Sequence, residues 1–290
     1  MFRKILVCVD PYPPDNNLIF CAVSLKKLGA EEVVLAHIIV DASLGLDKML
    51  IAQARPEMER QKQMLEEAGL PASIAMEAGI PAHALSDLAE KEDVSVVIIG
   101  AQGRGLLESI TLAGNPLGNV SAKLLHITRR PLLLIPGTLP AMESGREMSA
   151  LFSHVLYPTD FSDTAEIAFA YLETVVRATQ CPITLLHVQD RSRPAPHLGH
   201  RLKELQNLDQ LRLQRLQSWL KGLGAEDVRI DLAQGSPGDE IVKRAKGGGC
   251  SLILMGTQGK SITREILLGG VAHHVARHAA LPVLFIPALQ

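Results

Sequence analysis

Three glycines, Gly256, Gly259 and Gly269, stand in the spacing Gly, two residues, Gly, nine residues, Gly, and the last opens Gly269-Gly270-Val271 at the start of a helical pattern. Glycine lets backbone N–H groups come close to an anion, and a helix N-terminus adds a favourable partial charge. The chemistry this suits is the holding of phosphate. Met255 ends an apolar run just before Gly256, and Tyr157-Pro158-Thr159-Asp160 ends another. Each piece also has a plain structural reading. Gly256 to Gly259 alone is equally a strand-to-helix turn, and Asp160 alone can form an Asx turn ahead of a helix. Lys260, with Arg264 four residues on, supplies the nearby cations.

Other chemistry finds less support. Gly259-Lys260-Ser261 echoes the end of a Walker A loop, but Leu254 stands where that motif needs its first glycine. His274 and His278 share a helix face without an evident third ligand, which favours a solvated or interface face over a metal site. His37 and His187 sit inside apolar runs and read as hydrogen-bonded core histidines. There is no GxSxG elbow, no paired acidic motif for Mg²⁺ and no Cys/His nucleophile spacing.

The elements that must position these residues occur twice. Asp10 precedes His37, and Asp160 precedes His187, by 27 positions; Gly79 precedes Gly100, and Gly235 precedes Gly256, by 21; Gly118 to Pro131 and Gly269 to Pro282 both span 13. Each copy alternates short Val/Ile/Leu runs with helical patterns. The second has runs at 154–157, 183–188, 228–232, 252–255 and 283–286, with helices expected at 163–179, 198–221, 237–246 and 270–279. The 163–179 helix starts with the Asp163/Glu166 capping-box spacing, and the 198–221 helix carries Leu202, Leu205, Leu213, Leu216 and Leu220 at near-helical spacing. The first copy has runs at 5–9, 33–39, 73–77, 96–99 and 132–135. The expected fold is α/β: two tandem doubly wound domains, each a five-stranded parallel sheet with helices on both faces. Domain boundaries are expected at 1–138 and 150–290, joined by a linker at 139–149. In such sheets ligands bind beyond the carboxyl ends of the strands, where the strand order reverses, and the motifs fall there.

Apolar residues make up 47% of the 290 residues, enough for two cores, and the formal charge of −2 gives no reason to expect nucleic acid or an anionic membrane. No run is long enough for a membrane span, and four scattered cysteines without a CxxC pair suggest reduced thiols of a cytoplasmic protein.

On these residues the chain resembles the universal stress proteins, in particular their tandem, ATP-binding members. Gly256, Gly259 and Gly269 match that family's glycine signature, as do the opening Val155-Leu156-Tyr157-Pro158-Thr159-Asp160-Phe161-Ser162 and the closing Leu281-Pro282-Val283-Leu284; Gly270 departs from the family's Ser or Thr and removes a hydroxyl. The resemblance implies a Rossmann-like, adenine nucleotide alpha hydrolase-like fold. It also implies that Asp160, with Pro158 and Thr159 beside it, meets adenine or ribose, that Val188 lines the adenine site, and that the backbone from Gly256 to Val271 holds ribose and phosphates. The first copy keeps Asp10, Ile38, Gly100, Gly103, Gly118 and Asn119 at matching places. It has five extra residues between Gly103 and Gly118, with an alternative register through Gly114-Asn115, and Tyr12-Pro13-Pro14 replaces Phe-Ser. Its site is expected to be altered or lost.

The function implied is a cytoplasmic stress-response protein that binds adenine nucleotide in its second domain, ATP or else AMP or ADP, with Mg²⁺ able to accompany ATP. It would act as a sensor rather than a catalyst, with weak ATP hydrolysis at most. A slow ATPase or nucleotidyl or phosphoryl transferase, and a non-binding module that docks a partner, remain open. The last strand of each copy is the expected pairing edge, within the chain as a pseudo-dimer and between chains as a homodimer.

Overall fold

The computed structural model describes residues 1–11, 14–40, 47–102, 117–139, 150–190, 202–259 and 268–288. The chain divides into two compact units, Met1–Leu151 and Phe152–Ala288. Unit 1 contains strands β1 (Lys4–Cys8), β2 (Glu32–Ile39), β3 (Ala72–Ala78), β4 (Val96–Gly100) and β5 (Leu132–Ile135), all parallel, in the order β3-β2-β1-β4-β5. Its helices are α1 (Asn16–Ser24), α2 (Asp47–Glu67), α3 (Pro81–Lys91) and α4 (Asn119–Ile127). Unit 2 repeats the plan with β6 (Val155–Pro158), β7 (Ile183–Gln189), β8 (Val228–Gln234), β9 (Leu252–Gly256) and β10 (Val283–Ile286), parallel in the order β10-β9-β6-β7-β8. Its helices are α5 (Asp163–Thr179), α6 (Leu202–Gly222), α7 (Pro237–Gly247) and α8 (Gly270–His278).

The strand compositions explain this architecture. β1, β4, β5, β6, β9 and β10 are buried along nearly their whole length, as apolar runs covered on both faces must be, whereas the outer strands β3 and β8 are only partly covered. Pro81 and Pro237 open α3 and α7, where a missing N–H costs nothing.

Several expectations change in detail. His154 does not join β6, which starts at Val155; its N–H donates to the Ser251 hydroxyl at 3.0 Å. Helix α5 is capped by Ser162, whose Oγ accepts from Ala165 N at 3.3 Å, and not by Asp163, which lies within the first turn. Along α6 the leucines do not form one buried row. Leu213 and Leu220 are 0% exposed, but Leu205 is 41% exposed, because a helix of 3.6 residues per turn carries it away from the face that meets the sheet. The four cysteines are free and buried.

Candidate functional site

In unit 2 the chain runs β6, β7, β8 to one side and then crosses to β9 and β10 on the other, so the order reverses between β6 and β9. A crevice forms beyond the carboxyl ends of strands at such a point. Pro158 and Thr159 end β6 and are buried, Asp160 is half-buried, and Met255 (6% exposed) and Gly256 end β9. The structure therefore brings the β6 and β9 motifs to the same end of neighbouring strands.

Their contacts are specific. Asp160 Oδ1 accepts from Ser162 N at 3.1 Å and from Ser162 Oγ at 2.6 Å, so the Asx turn weighed from sequence is present. The other carboxylate oxygen faces the glycine loop: a Cβ on Gly259 would lie 2.7 Å from Asp160 Oδ2. A side chain there would displace the carboxylate, which ties the β9 loop to the end of β6. Gly256 has a different role. A Cβ on it would lie 2.8 Å from Thr164 Cγ2 and 3.1 Å from Thr164 O, so this glycine makes room for α5. Among the described residues a Cβ on Gly270 would meet nothing within 4 Å.

Helix α8 starts at Gly270 with Gly269 as its N-cap, and no side chain among the described residues caps it. Gly269 N donates to Thr257 O at 2.7 Å, and Thr257 N to Ile286 O at 2.9 Å, which fixes the helix start against the strand ends. Thr257 is 3% exposed, yet among the described residues its hydroxyl has no hydrogen-bond partner. An unmet buried hydroxyl costs about 1–3 kcal/mol. Sequence reasoning missed Thr257, because a threonine between two glycines carries no signal of its burial. Val271 stands 38% exposed in the first turn of α8, and Val188 is half-buried on β7.

A second group missed from sequence stands beside β6. Phe161 adopts a left-handed backbone (φ 58°), a conformation that costs a bulky residue energy and is concentrated at functional sites. Its ring lies 4.8 Å from that of His187 and 5.2 Å from the Arg212 guanidinium. His187 Nδ1 lies 2.7 Å from Thr159 O, and Nε2 lies 3.4 Å from Asp209 Oδ2, which also accepts from Gln189 Nε2 at 2.9 Å. His187 is thus hydrogen-bonded, as expected of a core histidine, but its partner Asp209 comes from α6 and no spacing could show it.

Unit 1 reverses its order between β1 and β4 and reproduces the backbone of this site. Gly118 N donates to Ala101 O at 2.6 Å, matching the Gly269 bond, so Gly118 rather than Gly114 occupies the helix-start position. Asn119 is the first residue of α4 and Gly118 its uncapped N-cap. Val9 N bonds Ala36 O at 2.9 Å as Thr159 N bonds Leu186 O at 2.8 Å, and His37 Nδ1 lies 3.1 Å from Val9 O. The side chains differ. Ala101 stands where unit 2 has Thr257, Asp10 is half-buried after β1, Ile38 is 8% exposed on β2, and a Cβ on Gly100 would meet only Gln102 O at 3.4 Å. Gly103, Lys260 and Arg264 lie outside the described residues, as do Tyr12, Pro13, Gly114 and Asn115.

Elsewhere, His274 Nε2 lies 3.0 Å from Asp239 Oδ1 and its ring 4.2 Å from that of His278. Among the described residues no group of three or more His, Cys, Asp or Glu is placed to hold a metal ion, and no helix is long and apolar enough to cross a membrane. Burial, aided slightly by Asp15, pushes the Cys21 thiol up to about 12, and burial raises Cys8, Cys181 and Cys250 too, which leaves these sulfurs as thiols rather than nucleophilic thiolates.

Comparison with known proteins gives a consistent result. The sequence model of the universal stress protein family matches residues 1–136 and again 151–287. A universal stress protein of Methanocaldococcus jannaschii is 30% identical over 158 residues, covering 48% of this chain and 97% of its own. One of Mycolicibacterium smegmatis is 23% identical over 297 residues, covering 97% and 96%. The crystal structure of a universal stress protein from Archaeoglobus fulgidus has the same fold, with a TM-score of 0.69 at 21% identity over 98% of both chains.

Proposed function

The chain belongs to the universal stress protein family, and on that premise we propose that it is a stress-response protein whose unit 2 binds an adenine nucleotide between the ends of β6 and β9. ATP is the first candidate, with AMP or ADP as alternatives. The observation that carries this reading is the conjunction at one strand-order reversal of an uncapped helix start with a buried hydroxyl lacking a protein partner among the described residues, that of Thr257. The α8 N-terminus and the Gly256–Gly259 loop supply N–H groups and positive partial charge for phosphates. The second carboxylate oxygen of Asp160 supplies an acceptor beside them, and Val188 on β7 offers an apolar wall for a base. Pro158 and Met255 fix the strand ends, Val271 borders the helix start, and Lys260 is assigned to the phosphates by its place after Gly259.

Binding rather than turnover follows from the chemistry of phosphoryl transfer, which needs placed cations and an oriented nucleophile. Asp160 Oδ1 is engaged by Ser162, and the cysteines are protonated. Mg²⁺ would arrive as the counter-ion of the nucleotide phosphates. The deciding experiment is mass spectrometry of nucleotide released on denaturing the purified full chain, followed by calorimetric titration with ATP. One equivalent per chain, bound about 10-fold more weakly in Asp160→Ala, is expected. No release and no heat would sink the reading, and bound ATP hydrolysed at about one per second would favour an ATPase.

A further inference from the structure

Helix α6 has two apolar faces, and the fold uses one. Leu213 and Leu220 are 0% exposed against the sheet, whereas Leu208, Leu211 and Trp219 are 52%, 54% and 56% exposed. At 3.6 residues per turn, Glu204, Leu208, Leu211, Arg215, Ser218 and Trp219 fall in an arc of roughly 100° opposite the buried leucines. Leu211, Arg215, Ser218 and Trp219 line a shallow groove with Gln214. Trp219 is fixed in place, since its Nε1 donates to Glu173 Oε1 at 2.8 Å.

Nothing in the fold requires this stripe. Ala225 N bonds Leu220 O after α6 as Leu70 N bonds Leu65 O after α2, which aligns the two helices; Leu208, Leu211 and Arg215 then correspond to Gln53, Pro56 and Arg60. At the other stripe positions unit 1 has Met49, Gln63 and Met64, so it builds the same helix with a mixed outer face that keeps neither leucine. Contiguous exposed apolar side chains rimmed by polar ones mark interaction surfaces.

The charges on the stripe indicate what covers it. Among the described residues neither Glu204 nor Arg215 has an ion-pair partner, although most charged residues of α2 and α7 do. Positions 204 and 215 have their midpoint between residues 209 and 210, and positions 208 and 211 have the same midpoint. A twofold axis through that point, perpendicular to the helix, lays a second α6 antiparallel on the first. Glu204 of each copy then faces Arg215 of the other, and Leu208 of each faces Leu211 of the other. Twofold interfaces are self-complementary in this way. We propose that the outer face of α6 is the contact through which two copies of this chain associate. The inference is independent of the nucleotide reading.

A single helix pair is small beside the roughly 1,200–2,000 Å² of a standard interface, so association is expected at tens of micromolar rather than nanomolar. Sedimentation equilibrium on the full chain, from about 1 to 300 μM, should show the mass rising toward twice that of one chain. Glu204→Arg and Arg215→Glu, each placing like charges opposite, should weaken association about 10-fold, and the double variant Glu204→Arg/Arg215→Glu should recover to within about 3-fold. Leu211→Ser should abolish the rise. The three positions exchanged, Glu204, Leu211 and Arg215, are all exposed, and unchanged thermal melting of each variant checks the fold. A mass of one chain throughout would overturn the proposal and leave the stripe to a different partner. So would a dimer indifferent to Leu211→Ser, or a double variant no better than the singles.

Discussion

Unit 2 presents Pro158-Thr159-Asp160, Thr257 and Gly270 around its strand-order reversal, and unit 1 presents Cys8-Val9-Asp10, Ala101 and Asn119 around its own. The backbone bonds beneath are the same in both: Gly269 N to Thr257 O and Gly118 N to Ala101 O, Thr159 N to Leu186 O and Val9 N to Ala36 O. The histidines of β7 and β2 also share their contact with the residue after the neighbouring strand, but among the described residues only His187 has a carboxylate beside it. Counting eleven residues back from Leu220 gives Asp209, and eleven back from Leu65 gives the buried Ala54. The comparison teaches that this scaffold is held by main-chain bonds indifferent to side-chain chemistry. One copy can therefore lose the polar groups of a binding site while its fold persists.

The largest expected effect tests whether the loop of unit 2 is where anions bind. Gly259→Asp places a carboxylate against Asp160 and into the anion loop, and should lower ATP affinity at least ~100-fold by calorimetry, since two unscreened like charges at close range cost several kcal/mol. Retained affinity would move the site out of unit 2.

Next in size is the contrast between the two aspartates. Asp160→Ala should weaken binding about 10-fold, the loss of roughly one charge-assisted hydrogen bond, while Asp10→Ala should leave affinity and stoichiometry unchanged. Equal losses from both would mean that the units are functionally alike despite their side chains.

A gain sharpens the comparison further. Because nothing among the described residues lies within 4 Å of a Cβ on Gly270, Gly270→Ser is accommodated there and supplies a hydroxyl at the helix start. Affinity should rise roughly 2- to 10-fold, the equivalent of about 0.5–1.5 kcal/mol. No change would show that the phosphates lie elsewhere.

The smallest effect lies at the opposite end of the strands. Ser251 Oγ clips the main chain of His154 in unit 2 as Ser95 Oγ clips that of Lys4 in unit 1. Burial, helped by the Arg229 charge, holds the His154 imidazole below its ordinary pKa. The unfolded chain therefore takes up a proton as pH falls through about 6.5 while folded unit 2 resists it, so stability falls with it. In unit 1 the hydrogen bond to Glu92 raises Lys4, a contribution complete below its ordinary pKa and lost only at high pH. The hydrogen bonds from Arg130 and Lys4 lower Glu90 and Glu92, contributions lost only as pH drops below the carboxylate range. Hydrogen exchange at about pH 7.5 and 5.5 should show unit 2 opening more readily at the lower value, and His154→Asn should remove the difference. Equal response of both units would refute this assignment.

Much of this molecule was legible in its residues. Apolar runs bounded by glycine and proline placed all ten strands within one or two residues of their positions, because a strand buried on both faces has to be continuously apolar. The 13-residue interval to proline correctly chose Gly118 over Gly114, because it measures a whole helix plus its exit turn. Expectations tied to one side chain's partner fared worse. Ser162 rather than Asp163 caps α5, since that outcome depends on a neighbour's position to within an ångström.

By itself, then, the sequence determined the repeat, the parallel sheets and the end of each sheet at which polar groups gather, all consequences of hydrophobic period and of main-chain geometry. Only the tertiary structure decided that Asp209 reaches His187, that the Thr257 hydroxyl is buried without a protein partner among the described residues, and that α6 turns Leu208, Leu211 and Trp219 outward. Each of those depends on how far a helix is rotated against its sheet, and that rotation is set by the packing of the whole unit rather than by any local run of residues.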